Sequence, residues 1–373
     1  MVFHLSVFVS VCLIALMAGP SATDESSRKK IVIILCTLIL GTILALRTWW
    51  MADLIKYHTQ YVTIAGRSFS ELAESDLANL GLRLLFVIEH RLTGGNFQIV
   101  LFIESYFCMG CLGYIIYKYS PIPLWSYFAY MAVGLYFFNF SGLKQSIAMA
   151  FLLLAFDGIA QDKPVKFVIL TFISGMFHAP AFIGIVAYYF ANLKISKNYF
   201  LALIVVFVFV LIFRSQIVSV LSEMYYDETE VKDVGGFGGK FIMMVVLLVG
   251  GALLRPPVNE DSLYAKVFNL MVLAALIQSF SIFGHNFTRL ADYYFQFLIL
   301  YLPMIMKYPD YTSIENNEMA MPFLKFTEES YILAGGILFI LGFYYYRSYI
   351  HTDISGVLNY KFFWEMSQSP WGS

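Results

Sequence analysis

Long runs of residues almost free of charge constrain this chain more than any other feature. The 373 residues are 60% hydrophobic and only 13% charged, and most of the charge lies between the apolar runs. An α-helix needs about 20 apolar residues to cross a hydrocarbon core of roughly 30 Å. A soluble domain, by contrast, is about half apolar and about one quarter charged. The sequence therefore predicts an all-α polytopic integral membrane protein and excludes a soluble enzyme, a secreted disulfide module and a disordered chain.

The apolar runs define about 11 membrane segments. Because no internal repeat divides them, we expect a single integral membrane domain over residues 1–373, with a polar outer-side segment, residues 51–96, lying in the membrane interface. The predicted segments are Val2–Ala18, Ile31–Leu46, Ile99–Tyr117, Leu124–Phe138, Leu143–Ala160, Val165–Ala191, Phe200–Ser219, Phe241–Leu254, Val267–Phe283, Ala291–Met306 and Tyr331–Tyr346.

Charge in the short loops predicts the orientation. Lysine and arginine favour cytoplasmic loops, which places the basic residues 28–30, the Lys163/Lys166 loop and the Lys194/Lys197 loop inside, and the acidic loop 222–233 outside. The first segment ends in a sequence that resembles a signal-peptidase site, but no basic residue precedes it, so we expect a retained helix, with cleavage as the alternative. A net charge of −1 indicates no nucleic-acid partner.

The segment Val165–Ala191 conflicts with this orientation, because basic loops lie at both of its ends. Pro180 removes a backbone donor and disfavours helix at the residue before it. Two half-helices that enter and leave on the cytoplasmic side would resolve the conflict and place His178 at the apex of a re-entrant pair. One long helix, kinked at Pro180, is the alternative.

A few polar side chains at the mouths of the segments need an explanation, since charge is costly within a membrane. Lys144 and Gln145 begin a helix, where an anion such as phosphate is favoured, or Lys144 is simply an interfacial lysine. His178 is a candidate general base or a packing residue. Arg289 and Asp292, three residues apart, are a candidate anion site or an ion pair. The cysteine pair Cys108 and Cys111 is predicted to pack rather than to bind metal.

These residues carry a resemblance to a known family. The order and spacing of the polar groups resemble the signature of EpsG-type exopolysaccharide polymerases over about residues 31–364. Two positions depart from that signature: Lys144 stands where the family usually has arginine, and no glycine-rich sequence surrounds Asp53. The matching stretches are Asn139 with Lys144–Ala148, Lys166–Phe167, Phe177–Ala181, Arg289–Phe295, Asn359–Trp364 and the run from Arg47 through Asp53 to Tyr57.

The resemblance implies a Wzy-like membrane glycosyltransferase in the bacterial plasma (inner) membrane. Such an enzyme transfers a growing glycan from polyprenyl diphosphate to a sugar hydroxyl of another lipid-linked repeat unit on the outer face. His178 is then the expected base, and Lys144, Arg289 and Arg47 the expected diphosphate ligands. Weaker substrate-binding candidates are Asp53, Asn139, Gln145 and Asp292.

No Asp-rich metal motif is present in the sequence, so the transfer is expected to need neither a metal nor another cofactor. The expected partners are the lipid-linked oligosaccharide donor and acceptor, membrane lipid and a chain-length regulator. Other functions stay open at this point. They are a lipid-linked oligosaccharide transporter (a flippase), a membrane glycan ligase and an O-acetyltransferase.

Overall fold

The computed structural model is helical throughout the residues that it describes. Those residues are 2–21, 25–49, 52–64, 66–73, 79–225, 238–255, 257, 262–307, 329–353, 357–358 and 360–365. Among them no strand forms, and one isolated antiparallel bridge joins Arg47 to Phe362. The acidic residues of the predicted outer loop beyond residue 225, and Asn359 of the terminal motif, lie outside the described residues.

The chain forms two compact units. Unit 1 comprises Met1–Phe182 with Tyr345–Ser373, and unit 2 comprises Ile183–Tyr344. The helices of unit 1 are α1 (Val2–Ser21), α2 (Glu25–Ala45), α3 (Ala52–Ile64), α4 (Phe69–Ala73), α5 (Leu80–Thr93), α6 (Phe97–Tyr119), α7 (Pro123–Ala132), α8 (Leu135–Phe138), α9 (Leu143–Ala160) and α10 (Pro164–Phe177). A 3₁₀-helix, Ala179–Ile185, and α11 (Val186–Ala191) follow.

Unit 2 continues with four long or medium helices and two short ones. Within it, α11 and α13 both pack on α14, as does α15. The remaining helices are α12 (Lys197–Tyr225), α13 (Gly239–Leu254), α14 (Ser262–Gln278), α15 (His285–Phe295), α16 (Leu298–Lys307) and α17 (Glu329–Tyr345), which passes into a π-turn, Tyr346–His351.

Helices α2, α6, α9 and α10 build the core of unit 1. Close approach of α2 and α6 is permitted by Gly113, where a Cβ would lie 2.6 Å from the Thr37 hydroxyl oxygen. Small residues of this kind let helices pack tightly in membranes. Asn96 begins α6, and its side chain accepts a hydrogen bond from the Gln98 amide at 3.0 Å. Pro164 begins α10, a position where its missing N–H costs nothing.

Some predicted segments are interrupted rather than continuous, and two of them break at positions that the sequence does not reveal. The segment Leu124–Phe138 was expected to be one helix, but it breaks between α7 and α8 because Gly134 has a φ of +82°, which is left-handed backbone. The segment Ala291–Met306 likewise breaks at residues 296–297, between α15 and α16. Only Gln296 interrupts the apolar residues at these two breaks, so hydropathy alone does not reveal them.

By length and composition, two helices among the described residues are long and apolar enough to cross a membrane, α6 and α9. Shorter apolar helices accompany them, and they include α10, α13 and most of α14. The fold is thus consistent with a membrane protein, and the number of crossings remains a prediction.

Candidate functional site

Helices α9 and α10 form an antiparallel hairpin that brings Lys144 and His178 to the same end of unit 1. The Ser174 hydroxyl donates a hydrogen bond to the Ala148 carbonyl oxygen at 2.7 Å, which sets the register. Lys144 lies four residues before Ala148 in α9, and His178 lies four residues after Ser174 in α10. Because the two helices are antiparallel, both steps run about 6 Å in the same direction along the hairpin. His178 therefore lies at the level of Lys144, and both side chains are half-buried.

The helix ends immediately before His178. Its backbone is extended, with φ −148° and ψ 106°, while its N–H still donates to the Ser174 carbonyl oxygen at 3.1 Å. Pro180 has no N–H with which to continue the α-helix. Beyond it, the Phe182 ring packs on Gly175, where an added Cβ would lie 2.4 Å from a ring carbon.

The chain leaves the α-helical conformation at His178. The residues that follow form the 3₁₀-helix Ala179–Ile185 and α11, and the Phe182 ring covers Gly175 of α10. The predicted break is therefore present, and the choice between a re-entrant pair and one long kinked helix stays a prediction.

Arg47 lies just after α2, at the same end of the α2/α6 pair, and is completely buried. One guanidinium nitrogen donates to the Glu104 carboxylate of α6 at 2.8 Å. The other donates to the Ser105 hydroxyl at 2.8 Å and to the Leu44 carbonyl at 2.6 Å. The ion pair gives Glu104 a role that the sequence did not suggest, because its partner belongs to a different helix.

The backbone around Arg47 is a junction of three chain segments. The Gln98 amide of α6 donates to the carbonyl oxygens of Ala45 and Arg47, at 2.8 and 3.2 Å. From the C-terminal part of the chain, the Lys361 carbonyl accepts from the Thr48 N–H at 3.1 Å. Arg47 thus ties α2 to α6 and to the terminal segment, with its charge already neutralised by Glu104.

Three weaker candidates lie in different environments. Asn139 is buried, and its side chain donates to the Tyr130 hydroxyl oxygen at 2.8 Å. Gln145 is also buried, one residue after Lys144 at the start of α9. Asp53 is partly exposed in the first turn of α3 and forms an ion pair with Lys56 at 3.2 Å. Exposed pairs of this kind stabilise a fold by at most about 1 kcal/mol.

A second polar cluster occupies the opposite end of unit 1. There Asp157 of α9 accepts hydrogen bonds from Lys118 and Tyr119 of α6 and from Lys166 of α10. At the same end of α6, Lys29 donates to the Ser120 carbonyl oxygen at 2.9 Å. We name this the Asp157 end, and the end that holds Arg47, Lys144 and His178 the Lys144 end.

Lysines that the sequence places on one side of the membrane lie together at the Asp157 end. Which side that end faces stays a prediction. Since α6 is 23 residues long, it separates the two ends by about 34 Å, enough to span a hydrocarbon core.

In unit 2, Asp292 and Arg289 lie on α15. Asp292 is buried and forms an ion pair with Lys240 of α13, whose ammonium also lies 5.0 Å from the centre of the Phe295 ring. Arg289 is half-buried. The sequence paired Asp292 only with its helix neighbour, because a partner 52 positions away cannot be seen from helical spacing.

The side chains at the Lys144 end are cationic or neutral and polar, apart from the Glu104 carboxylate that pairs with Arg47. Within the described ranges, no group of three or more histidine, cysteine, aspartate or glutamate side chains is arranged to hold a metal ion. The described residues therefore offer an ammonium, an imidazole and a buried ion pair, which suit anion binding and proton transfer.

Comparison with known proteins gives one match. The model of the EpsG family matches residues 30–362 of this chain. No curated protein and no solved structure matches.

Proposed function

The chain belongs to the EpsG family, and on that premise we propose that it polymerises an exopolysaccharide. The glycan would pass from polyprenyl diphosphate to a sugar hydroxyl of a second lipid-linked repeat unit. The family suggests an exopolysaccharide polymerase-type function in a membrane protein. The donor, the acceptor and a site on the outer face of the bacterial plasma membrane are parts of the proposal.

The observation that carries the proposal is the placement of Lys144 and His178 at the same end of the α9/α10 hairpin. A phosphate-bearing leaving group needs a cation, and an attacking hydroxyl needs a base within reach. The lysines of the Asp157 end are expected in the cytoplasm by the distribution of positive charge. The Lys144 end would then face outward, where the lipid-linked substrates are joined.

In the proposed step, the acceptor hydroxyl oxygen attacks the anomeric carbon of the donor glycan. A new C–O bond forms, and the bond from that carbon to the diphosphate oxygen breaks. Polyprenyl diphosphate leaves with the electron pair, and His178 takes the hydroxyl proton. Lys144 stabilises the charge that develops on the diphosphate, helped by the positive end of the α9 helix dipole.

The remaining candidates receive supporting roles. In unit 2, Arg289 is proposed to bind phosphate of the substrate, on a helix whose Asp292 is held by Lys240. Arg47 is proposed to position the Lys144 end rather than to contact substrate, because Glu104 already neutralises it. Asn139, Gln145 and Asp53 are proposed to bind sugar hydroxyls. Because protein cations carry the leaving-group charge, the transfer is proposed to need no metal.

A transporter of lipid-linked oligosaccharides is a second candidate, favoured by one observation. Transporters commonly use interrupted helices at their substrate site. Helices are interrupted in each unit, at His178 in unit 1 and at residues 296–297 in unit 2. A flippase would move the lipid-linked unit across the membrane without lengthening its glycan.

Purified protein in vesicles that carry a synthetic lipid-linked repeat unit would separate the two candidates. The polymerase proposal predicts a ladder of products that increase by one repeat unit, and the same ladder in the presence of EDTA. Vesicles without protein are the control. Translocation of the substrate with no increase in glycan length would support the transporter and overturn the polymerase.

A further inference from the structure

Glu89 is a buried acid that the proposed mechanism does not use. It lies on α5 with only 2% of its surface exposed, and neither carboxyl oxygen has a hydrogen-bond partner among the residues that the structure describes. It shares the buried face of α5 with Leu82 and Phe86, seven and three residues earlier. A carboxyl group at such a core position costs about 1–3 kcal/mol when its hydrogen bonds are unmade, so its presence needs a reason.

Three helices supply the titratable groups near Glu89. From α6, Glu104 lies close enough to act on it electrostatically. From α3, the Tyr61 phenol is influenced by the Glu89 carboxylate. On α5 the next residue is His90, whose ring lies 5.8 Å from the Tyr61 ring. Glu104 in turn is paired with Arg47, so Glu89 is connected to that guanidinium through Glu104.

The neutral form of Glu89 is favoured in this setting. Burial raises the pKa of Glu89 to about 8, and the Glu104 carboxylate adds to the effect. With Glu89 protonated, the charges of Arg47 and Glu104 balance. An ionised Glu89 would add a second buried negative charge near Glu104, whose partner Arg47 is already engaged, and uncompensated buried charge is strongly destabilising.

We propose that Glu89 is a proton-binding positioning residue of the Lys144 end, which keeps the Arg47–Glu104 ion pair intact as a neutral acid and disrupts it on losing its proton. The structural part of this inference stands on the cluster alone. The effect on catalysis rests on the proposed polymerase function. Alkaline pH would then loosen the junction of α2, α6 and the terminal segment.

The structural part is tested by thermal unfolding of wild type and Glu89→Gln between pH 5 and pH 9. The amide mimics the neutral acid and does not titrate. Unfolding lets the wild-type group ionise above its ordinary pKa, so wild-type stability falls from about pH 4.5 to about pH 8. We expect the Tm of Glu89→Gln to rise relative to wild type by several degrees across that range, and the difference to level off above it.

Glu71→Gln is the matched control, because Glu71 is an exposed carboxylate of the neighbouring α4. Hydrogen bonds from Ser68 lower the pKa of Glu71, so it is ionised in both states above pH 5. Its Tm difference from wild type should stay constant from pH 5 to pH 9. A constant difference for Glu89→Gln as well would overturn the proposal.

Polymerisation rates give the second readout. We expect wild-type activity to fall at least fivefold between pH 7.5 and pH 9, and that of Glu89→Gln, measured against its own value at pH 7.5, to fall less than twofold. If wild type makes no polymer at any pH, the polymerase function fails while the Tm comparison still decides the role of Glu89. Parallel alkaline losses in both proteins would overturn the catalytic part.

Discussion

At the scale of single residues, the two ends of unit 1 are built from charges that hold one another in place. The side chains of Arg47 and Glu104 are both completely buried, and each compensates the charge of the other in the absence of solvent. Such a pair adds little net stability compared with apolar residues, but breaking it is costly because one charge stays behind. The pair therefore serves mainly to hold the neighbouring polar groups in position.

The first prediction concerns this pair. Replacing Arg47 by Met leaves the Glu104 carboxylate buried without its cation and should lower the free energy of unfolding by about 3–5 kcal/mol. The double variant Arg47→Met with Glu104→Leu removes both charges and should recover most of the loss. Denaturant unfolding in detergent measures both. A double variant no more stable than the single one would show that the loss comes from packing, not from unpaired charge.

Individual candidates could be predicted from the sequence where a local signal exists. Pro180 marks the break at His178, and the short gap between apolar runs places Lys144 at a helix start. Glu104, Asp157 and Glu89 received no role, since the groups that explain them lie on other helices. Pairing between residues of different helices is a property of packing, which no spacing rule within one helix can supply.

At the scale of secondary-structure elements, runs of uncharged residues in the sequence predict where the helices lie. They do not predict where a helix is interrupted. The predicted segment Leu143–Ala160 coincides with α9. The break at Gly134 was missed, because the flanking residues are as apolar as those of an unbroken helix. Its cause is tertiary, since the Tyr349 ring occupies the space beside Gly134 and its hydroxyl donates to the Val133 carbonyl at 3.1 Å.

The second prediction tests that break. A Cβ at Gly134 would lie 1.8 Å from the Tyr349 ring, and φ of +82° is strained for any other L-residue. Gly134→Ala should therefore destabilise unit 1 by about 1–3 kcal/mol.

Gly110→Ala is its control, because Gly110 lies within α6 with nothing within 4 Å of an added Cβ. This substitution should be neutral or stabilising by up to about 1 kcal/mol. Thermal unfolding of the two variants compares them directly. Equal stability for both would contradict the account of the break.

At the scale of the whole molecule, the account depends on which end of unit 1 faces outward. Lys163 lies in the exposed turn at the Asp157 end. Gln60 is exposed on α3, which packs near the start of α6 through the rings of His58 and Phe97, 5.3 Å apart. The two positions therefore report on opposite ends of the same unit.

The third prediction uses single cysteines at these positions in a variant lacking the four native cysteines. A membrane-impermeant maleimide should label Gln60→Cys in intact cells. It should label Lys163→Cys only after the membrane is permeabilised, because positive loops remain in the cytoplasm. Labelling in the opposite pattern would invert the orientation and remove the Lys144 end from the outer face.

The most direct test of the central claim is polymer formation by variants of the α9/α10 hairpin. Purified His178→Gln and Lys144→Ala are compared with Lys163→Ala, which removes a lysine from the other end of the hairpin. We predict that His178→Gln slows ladder formation by about 10²–10⁴-fold, that Lys144→Ala slows it at least tenfold, and that Lys163→Ala matches wild type. A folded His178→Gln that extends the glycan at the wild-type rate would contradict the account.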